Sequence, residues 1–364
     1  MFSHEDLRAA VAAEVIGADQ AARLERWLSA RKRGGSDPGA PMDGENLRFI
    51  TNLNDIFITI GLAILFAGVG SLLAFLLTGF IVDEPRFGAL TLTAVMAALA
   101  WALSEYFCLR RRLLLPSMFL VLAFTVAMAF FGAALISPDP KALIEEGPGF
   151  NAVNTIITVG YGGLAAGALA AIAYFFRFRL PFTFALIAVL LSGVAYVWAA
   201  QQGEVAALYG GLVSLITGIV CLAVGIWFDV QDPERVTRSS DNAFWLHLVS
   251  APQIIFGLRG VLDGMGFEID SATGAAVLIG ALIIVALISV AINRRALIVA
   301  SIATFAIAVG TLMFGTGSNP ALALSLTALI VGGGIVLLGA GWKTARRALL
   351  PVLPRSRVFP PETV

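Results

Sequence analysis

Ten predominantly apolar runs follow one another along the chain, at about 55–81, 87–108, 113–136, 151–175, 181–200, 205–228, 242–258, 273–292, 296–315 and 320–342. An α-helix rises 1.5 Å per residue, so roughly 20 apolar residues cross a hydrocarbon core about 30 Å thick. The pattern predicts an all-α, polytopic transmembrane helical bundle of about ten spans.

The seventh run is short and carries His247, Pro252 and Gln253, so hydropathy alone also allows a re-entrant or surface helix there. Charge placement decides the case. With a cytoplasmic N-terminus and ten crossings, 21 of the 24 Lys and Arg fall inside, leaving Arg86, Lys141 and Arg259 outside. If the seventh run failed to cross, Arg294, Arg295 and the basic tail would change sides, against the positive-inside bias. Both termini are therefore expected in the cytoplasm. Trp198, Trp227, Trp245 and Trp342 fall near span ends, where amphipathic rings favour the interface, whereas Trp101 lies deeper.

Residues 1–32 have a different texture. Leu7, Val11 and Val15 share one helical face, Gly17 interrupts, and Leu24, Trp27 and Leu28 mark a second face. Two narrow stripes joined by a glycine predict a cytoplasmic helical hairpin. Residues 33–53 follow as a flexible tether and lead-in, because the Gly/Pro-rich stretch from Arg33 to Pro41 has nothing to bury. The ten-span domain occupies 54–342, and a basic cytoplasmic tail occupies 343–364.

Composition sharpens the class. The chain is 59% hydrophobic and 13% charged, with mean hydropathy +0.89. Soluble domains carry roughly 25% charged residues, so a water-facing surface all round is excluded. Cys108 and Cys221 fall within or at the end of spans and read as buried thiols, too few for a disulfide framework. The first residues lack the basic-then-apolar pattern of a cleaved signal peptide, so insertion is expected to begin at the first span.

Familiar catalytic patterns are missing from the sequence. There is no Walker-type loop, no His-Glu-x-x-His, no Gly-x-Ser-x-Gly and no Cys-x-x-Cys. With His4 and His247 the only histidines, a histidine-rich metal site is excluded. An enzyme of a familiar class is not expected, nor is a cofactor, a metal or a nucleic-acid partner. The expected partners are the lipid bilayer, a small solute and a cytoplasmic protein.

Small residues recur at helical spacing. Gly163, Gly167 and Ala171 lie four apart on span four, and Gly332, Gly333, Gly334, Gly339 and Gly341 fill span ten. Such stripes let helix backbones approach closely, and a hinge or solute route is the functional alternative. Ten spans would also divide into an inverted five-plus-five repeat. Residues 55–200 and 205–342 show no residue-level similarity to support one.

Candidate chemistry reduces to a few polar residues within the spans. Glu105 lies about one turn from the cytoplasmic end of span two, with Arg112 two turns further along the same face. Pairing with Arg112 or Arg111 is one role for it, and a proton- or solute-linked carboxylate is the other. His247 suits either a neutral interhelical hydrogen bond or proton coupling. Pro252 and Gln253 would break the helix and expose carbonyls to a cavity, or merely kink it. Asp55 with Asn54 opens span one, and Asp241 with Asn242 opens span seven, where helix caps belong. Asp55, Glu105, Arg110, Asn242 and His247 are placed in one leaflet. If spans one, two and seven touch, they form one polar cluster facing the cytoplasm, with Gln253 beneath it.

Several stretches together resemble a known type of protein. They are Leu7 to Leu28 with its Ile16-Gly17 turn, Asn54-Asp55-Ile56-Phe57, Glu105-Tyr106-Phe107, Phe244-Trp245-Leu246-His247-Leu248 and the tail from Gly339 to Arg346. In these the chain is similar to bacterial inner-membrane proteins of unknown function that begin with a short cytoplasmic helical hairpin. The resemblance implies a bacterial inner-membrane setting and supplies no activity.

Three functions fit the sequence. The first is a small-solute carrier or permease using Glu105 and His247. The second is a non-transporting scaffold or sensor whose hairpin docks a partner through Leu24, Trp27 and Leu28. The third is an intramembrane enzyme acting on lipid, which needs a catalytic pair such as Glu105 and His247 within hydrogen-bond reach of each other.

Overall fold

A computed structural model describes residues 11–13, 15, 17–24, 53–78, 84–138, 152–232, 237–266, 272–292, 319–349 and 351, with positions 302, 305–306, 309–310 and 313–314. The chain divides into two compact units, residues 1–46 with 362–364, and residues 47–361.

In the first unit, residues 18–24 are helical after a break at Gly17. The Gly17 amide donates to Gln20 Oε1 at 3.1 Å, closing the helix start. Leu24 is 40% exposed. Trp27, Leu28 and the tether at 33–52 lie outside the described residues.

The second unit is built of helices α1 (Leu53–Leu76), α2 (Pro85–Ser104), α3 (Leu114–Ile136), α4 (Ala152–Phe178), α5 (Thr183–Ala200), α6 (Ala206–Gln231), α7 (Arg238–Gly264), α8 (Ala272–Ile292) and α9 (Pro320–Leu349). Among the described residues, eight helices are long and apolar enough to cross a membrane. Their polarity is inverted relative to a water-soluble bundle. α1 buries only Asp55, Leu62 and Phe66, while Phe57, Ile64 and Phe75 are two-thirds exposed or more. Small polar side chains are inside instead, among them Ser104, Ser117 and Ser250. An apolar exterior this continuous matches hydrocarbon, not water. The chain is a multi-pass membrane-type helical bundle.

Two packing modes hold it together. Around α2, α3 and α4 the core is aromatic, with Trp101 at its centre. The Trp101 ring lies 5.2 Å from Phe124, 6.1 Å from Tyr174 and 5.1 Å from Phe178 between centroids. The Tyr174 hydroxyl in this cluster is satisfied in series: Tyr174 donates to Ser104 Oγ at 2.9 Å, and Ser104 donates to the Ala100 carbonyl at 2.7 Å. The α3–α4 contact is close because of the expected small-residue stripe. A Cβ at Gly163 would meet the Ala129 carbonyl at 3.0 Å, and Ala171 is fully buried.

The other mode joins α6 and α7. Gly211, Ser214, Gly218, Cys221 and Gly225 are the buried residues of α6, alternating three and four apart. Opposite them lie Ala243, Ser250, Gly257 and Gly264, seven apart. A Cβ at Gly257 would fall 2.3 Å from the Leu215 amide nitrogen, and one at Gly211 would fall 2.5 Å from the Gly260 carbonyl carbon. Alternating three- and four-residue spacing is the register of left-handed antiparallel packing, and bare backbones make it very close. The glycines of span ten behave differently. No described atom lies within 4 Å of a Cβ at Gly332, Gly333, Gly339 or Gly341, and among the described helices α9 packs against α8.

Helix directions follow from side-chain contacts at the far end of the chain. Arg346, near the end of α9, donates to the carbonyls of Val290 at 2.9 Å and Ala291 at 3.1 Å, at the end of α8. Hence α8 and α9 finish at the same face. Between them, Phe305 approaches Gly334 and Gly310 approaches Thr327. Rising number on one side meets falling number on the other, so these positions run antiparallel to α9.

Candidate functional site

The seventh apolar run is longer than its hydropathy suggests. α7 starts at Arg238, four residues before the expected Asn242, and spans 27 residues. Its N-cap is Thr237, whose hydroxyl oxygen accepts from the Ser239 amide at 3.2 Å. Asp232 in turn accepts from the Thr237 amide at 2.8 Å and hydroxyl at 2.7 Å, tying the end of α6 to the start of α7. Asp241 stays in the first turn, where a carboxylate favours the helix dipole, whereas Asn242 is inside the helix and buried. Asp55 likewise lies in the first turn of α1 and is buried.

His247 is fully buried, and its Nε2 lies 2.8 Å from Asp229 Oδ2 on α6. The hairpin turn brings the two residues together although 18 positions separate them. In the neutral ring, Nε2–H donating to the carboxylate leaves a lone pair on Nδ1. Nδ1 is buried with no hydrogen-bond partner among the described residues. The ring fits because α6 has a glycine opposite it. A Cβ at Gly225 would stand 2.8 Å from His247 Cε1 and 3.0 Å from Nδ1. Among the facing small residues, this is the one position where a ring enters the seam.

Deeper along the same interface lies a second polar node. Gln253 Oε1 accepts from Thr217 Oγ1 at 2.5 Å and Ser192 Oγ at 3.3 Å, while Ser214 Oγ donates to the Gln253 carbonyl at 2.8 Å. Three helices, α5, α6 and α7, thus meet at one carboxamide. Pro252 has no amide hydrogen to give its preceding turn, yet α7 continues through it from Arg238 to Gly264. Of the two alternatives for Pro252, the break does not occur.

The single cluster expected of Asp55, Glu105, Arg110, Asn242 and His247 is divided. Glu105 pairs with neither Arg112 nor Arg111: its Oε2 accepts from Arg177 on α4 at 2.6 Å. The physical reason is local. Residues Glu105–Arg110 form a π-helical turn, in which the Arg111 amide reaches back to the Tyr106 carbonyl at 3.0 Å. More residues per turn destroy the seven-residue alignment that placed Arg112 above Glu105. Arg112 itself leaves the helix with φ +54°. Nor does Glu105 reach His247, whose Nε2 is taken by Asp229 and whose Nδ1 has no partner among the described residues. Glu105 and His247 therefore do not form the pair suggested for a lipid-acting enzyme. Arg110 is exposed at the end of the π turn. α1 packs on α3 and α2, while α7 packs on α6, α5 and α8, so the first and seventh runs are not packed partners.

Asp229 escaped the sequence reading. It follows Trp227 and Phe228 at the end of an apolar run and reads there as an ordinary interface residue. The available signal was the glycine register: Gly211, Gly218 and Gly225 recur every seven residues, and Asp229 lies one turn beyond the last.

No protein-family model matches the chain, and no curated protein or solved structure is similar to it.

Proposed function

We propose that this chain is a carrier for a small solute, with Asp229 and His247 as the polar element of its path and Gln253 as a second contact deeper in the same interface. The observation that carries this reading is a fully buried histidine, paired to a carboxylate, with its other ring nitrogen unpartnered among the described residues. Ionisable groups within membrane helices are costly and face a partner or a path. Packing alone would be served by another small residue at position 247, as it is at Ala243 and Ser250 on either side. Proteoliposomes containing the full chain and a pH-sensitive dye, challenged with a panel of small solutes, test this. Solute-dependent signals present in the parent protein should vanish in H247Q and D229N at equal insertion. Full activity in both variants would remove the reading.

The carrier has ten spans and lies in a bacterial inner membrane with both termini cytoplasmic. The common end of α8 and α9 supports the count, because a chain leaving Ile292 must return to the opposite face before Pro320. The antiparallel contacts of Phe305 and Gly310 with α9 support the same crossing. Orientation follows from charge: Arg110, Arg111, Arg112, Arg177, Arg179 and Arg238 share one face, opposite Arg86 and Arg259. Residues 1–32 are read as the cytoplasmic helical hairpin, and Val15 and Leu24 are exposed apolar positions among its described residues.

A further inference from the structure

We infer that the face carrying the arginine turns is a binding site for an anionic phospholipid headgroup, held by Arg112, Arg179 and Arg238. The inference rests on the membrane placement of the bundle and not on its being a carrier.

Three turns converge there. Arg112 follows α2 and its π turn, Arg179 follows α4, and Arg238 opens α7. The Glu105–Arg177 ion pair joins the first turn to the second. The Phe182 and Trp245 rings, 4.7 Å apart, join the second to the third. Trp245 of α7 also packs on the same apolar cluster as Phe107 and Cys108 of the first turn. Beneath the arginines, Phe182, Trp245, Cys108, Leu109 and Leu114 pack on one apolar cluster. A charged rim over an apolar floor matches the boundary between headgroup and acyl chain.

The arginines at the two faces differ in what they touch. On the opposite face, Arg86 donates to the Leu135 carbonyl and Arg259 pairs with Asp263 at 3.8 Å. On this face, Arg177 is taken by Glu105, and Arg111 is held by Tyr106, with Nε 3.0 Å from the phenol oxygen. Arg112, Arg179 and Arg238, like Arg110 at the end of the π turn, are exposed and have no ion pair among the described residues. Arg112 and Arg179 also adopt φ +54° and +52°, the left-handed region in which glycine is the cheaper residue. Guanidiniums at headgroup level without an ion pair among the described residues suit phosphate oxygens, which accept two parallel N–H bonds from each fork.

Native mass spectrometry of the full chain tests this, using equimolar phosphatidylglycerol and phosphatidylcholine as probes. The parent protein should retain phosphatidylglycerol preferentially, with each arginine contributing about fivefold. R112Q/R179Q/R238Q should reduce retention to the phosphatidylcholine level, and R112K/R179K/R238K should keep most of it. Should the glutamine variant misfold, salt decides with the parent protein, since added salt must strip phosphatidylglycerol selectively. Equal retention of both lipids by the parent, or an equal loss on R86Q, would overturn the site. Displacement by millimolar inorganic phosphate would overturn the lipid as its ligand in favour of a soluble anion. Failure of solute transport would leave this result untouched.

Discussion

The ring of His247 occupies the space that a side chain at Gly225 would fill, with a Cβ there only 2.8 Å from Cε1. Both residues are buried on the α6–α7 seam, and the glycine is the notch that admits the imidazole. One turn further along α6, Asp229 accepts the ring's Nε2 hydrogen bond. Geometry and chemistry are therefore coupled: the notch positions the ring, and the carboxylate fixes its tautomer.

G225A should lower stability by about 1–3 kcal/mol, the usual cost of overpacking a close contact. Adding H247A should restore most of that loss, since the methyl group then enters the vacated space. Thermal unfolding in detergent for both single variants and the double gives the coupling. Additive effects would show that the two residues do not share the space.

D229N and D229L should separate folding from function. Asparagine keeps an acceptor for Nε2–H and should fold like the parent while losing solute-dependent activity. Leucine leaves a buried donor unsatisfied and should cost about 1–3 kcal/mol as well. The comparison is read from thermal stability and proteoliposome uptake side by side.

Glu105 carries the opposite expectation. Its ion pair with Arg177 is more than a third exposed on both sides, at 37% and 47%. Exposed pairs contribute little, so E105Q should change stability by less than about 1 kcal/mol and leave uptake intact. Loss of uptake in E105Q at normal insertion would move the functional centre to α2.

Glycines in the two stripes should respond differently to alanine. A Cβ at Gly257 would strike backbone atoms of Leu215 that no rotamer change relieves, so G257A should sharply reduce the yield of folded protein. Gly332 has no described neighbour within 4 Å of such a Cβ. Alanine there should be neutral, or stabilising by up to about 1 kcal/mol through helix propensity. Folded yield by size-exclusion profile distinguishes them.

Local pattern carried much of the architecture. Apolar runs located eight helices, and the four-residue spacing of Gly163, Gly167 and Ala171 identified a true close contact. His247 stands out as a titratable ring inside an apolar run, suited either to a neutral interhelical hydrogen bond or to proton coupling. What stayed hidden depends on three-dimensional register. Glu105 and Arg177 are 72 residues apart, and nothing local in Glu105-Tyr106-Phe107 announces the π turn that aims the carboxylate at α4. Asp229 is separated from His247 by a hairpin whose alignment is set by glycines, and reading it requires pairing two stripes rather than scanning one. For the glycines of span ten, no such close neighbour is present among the described residues.

The state of the buried imidazole is the most direct measure of this site. His4 and His247 are the only histidines, so an H4Q background gives a single nitrogen-15-labelled imidazole. Its spectrum should show the tautomer protonated at Nε2, with the Nε2 signal displaced in D229L and unchanged in E105Q. A signal indifferent to D229L, or one that moves with E105Q, would contradict the pairing of Asp229 with His247.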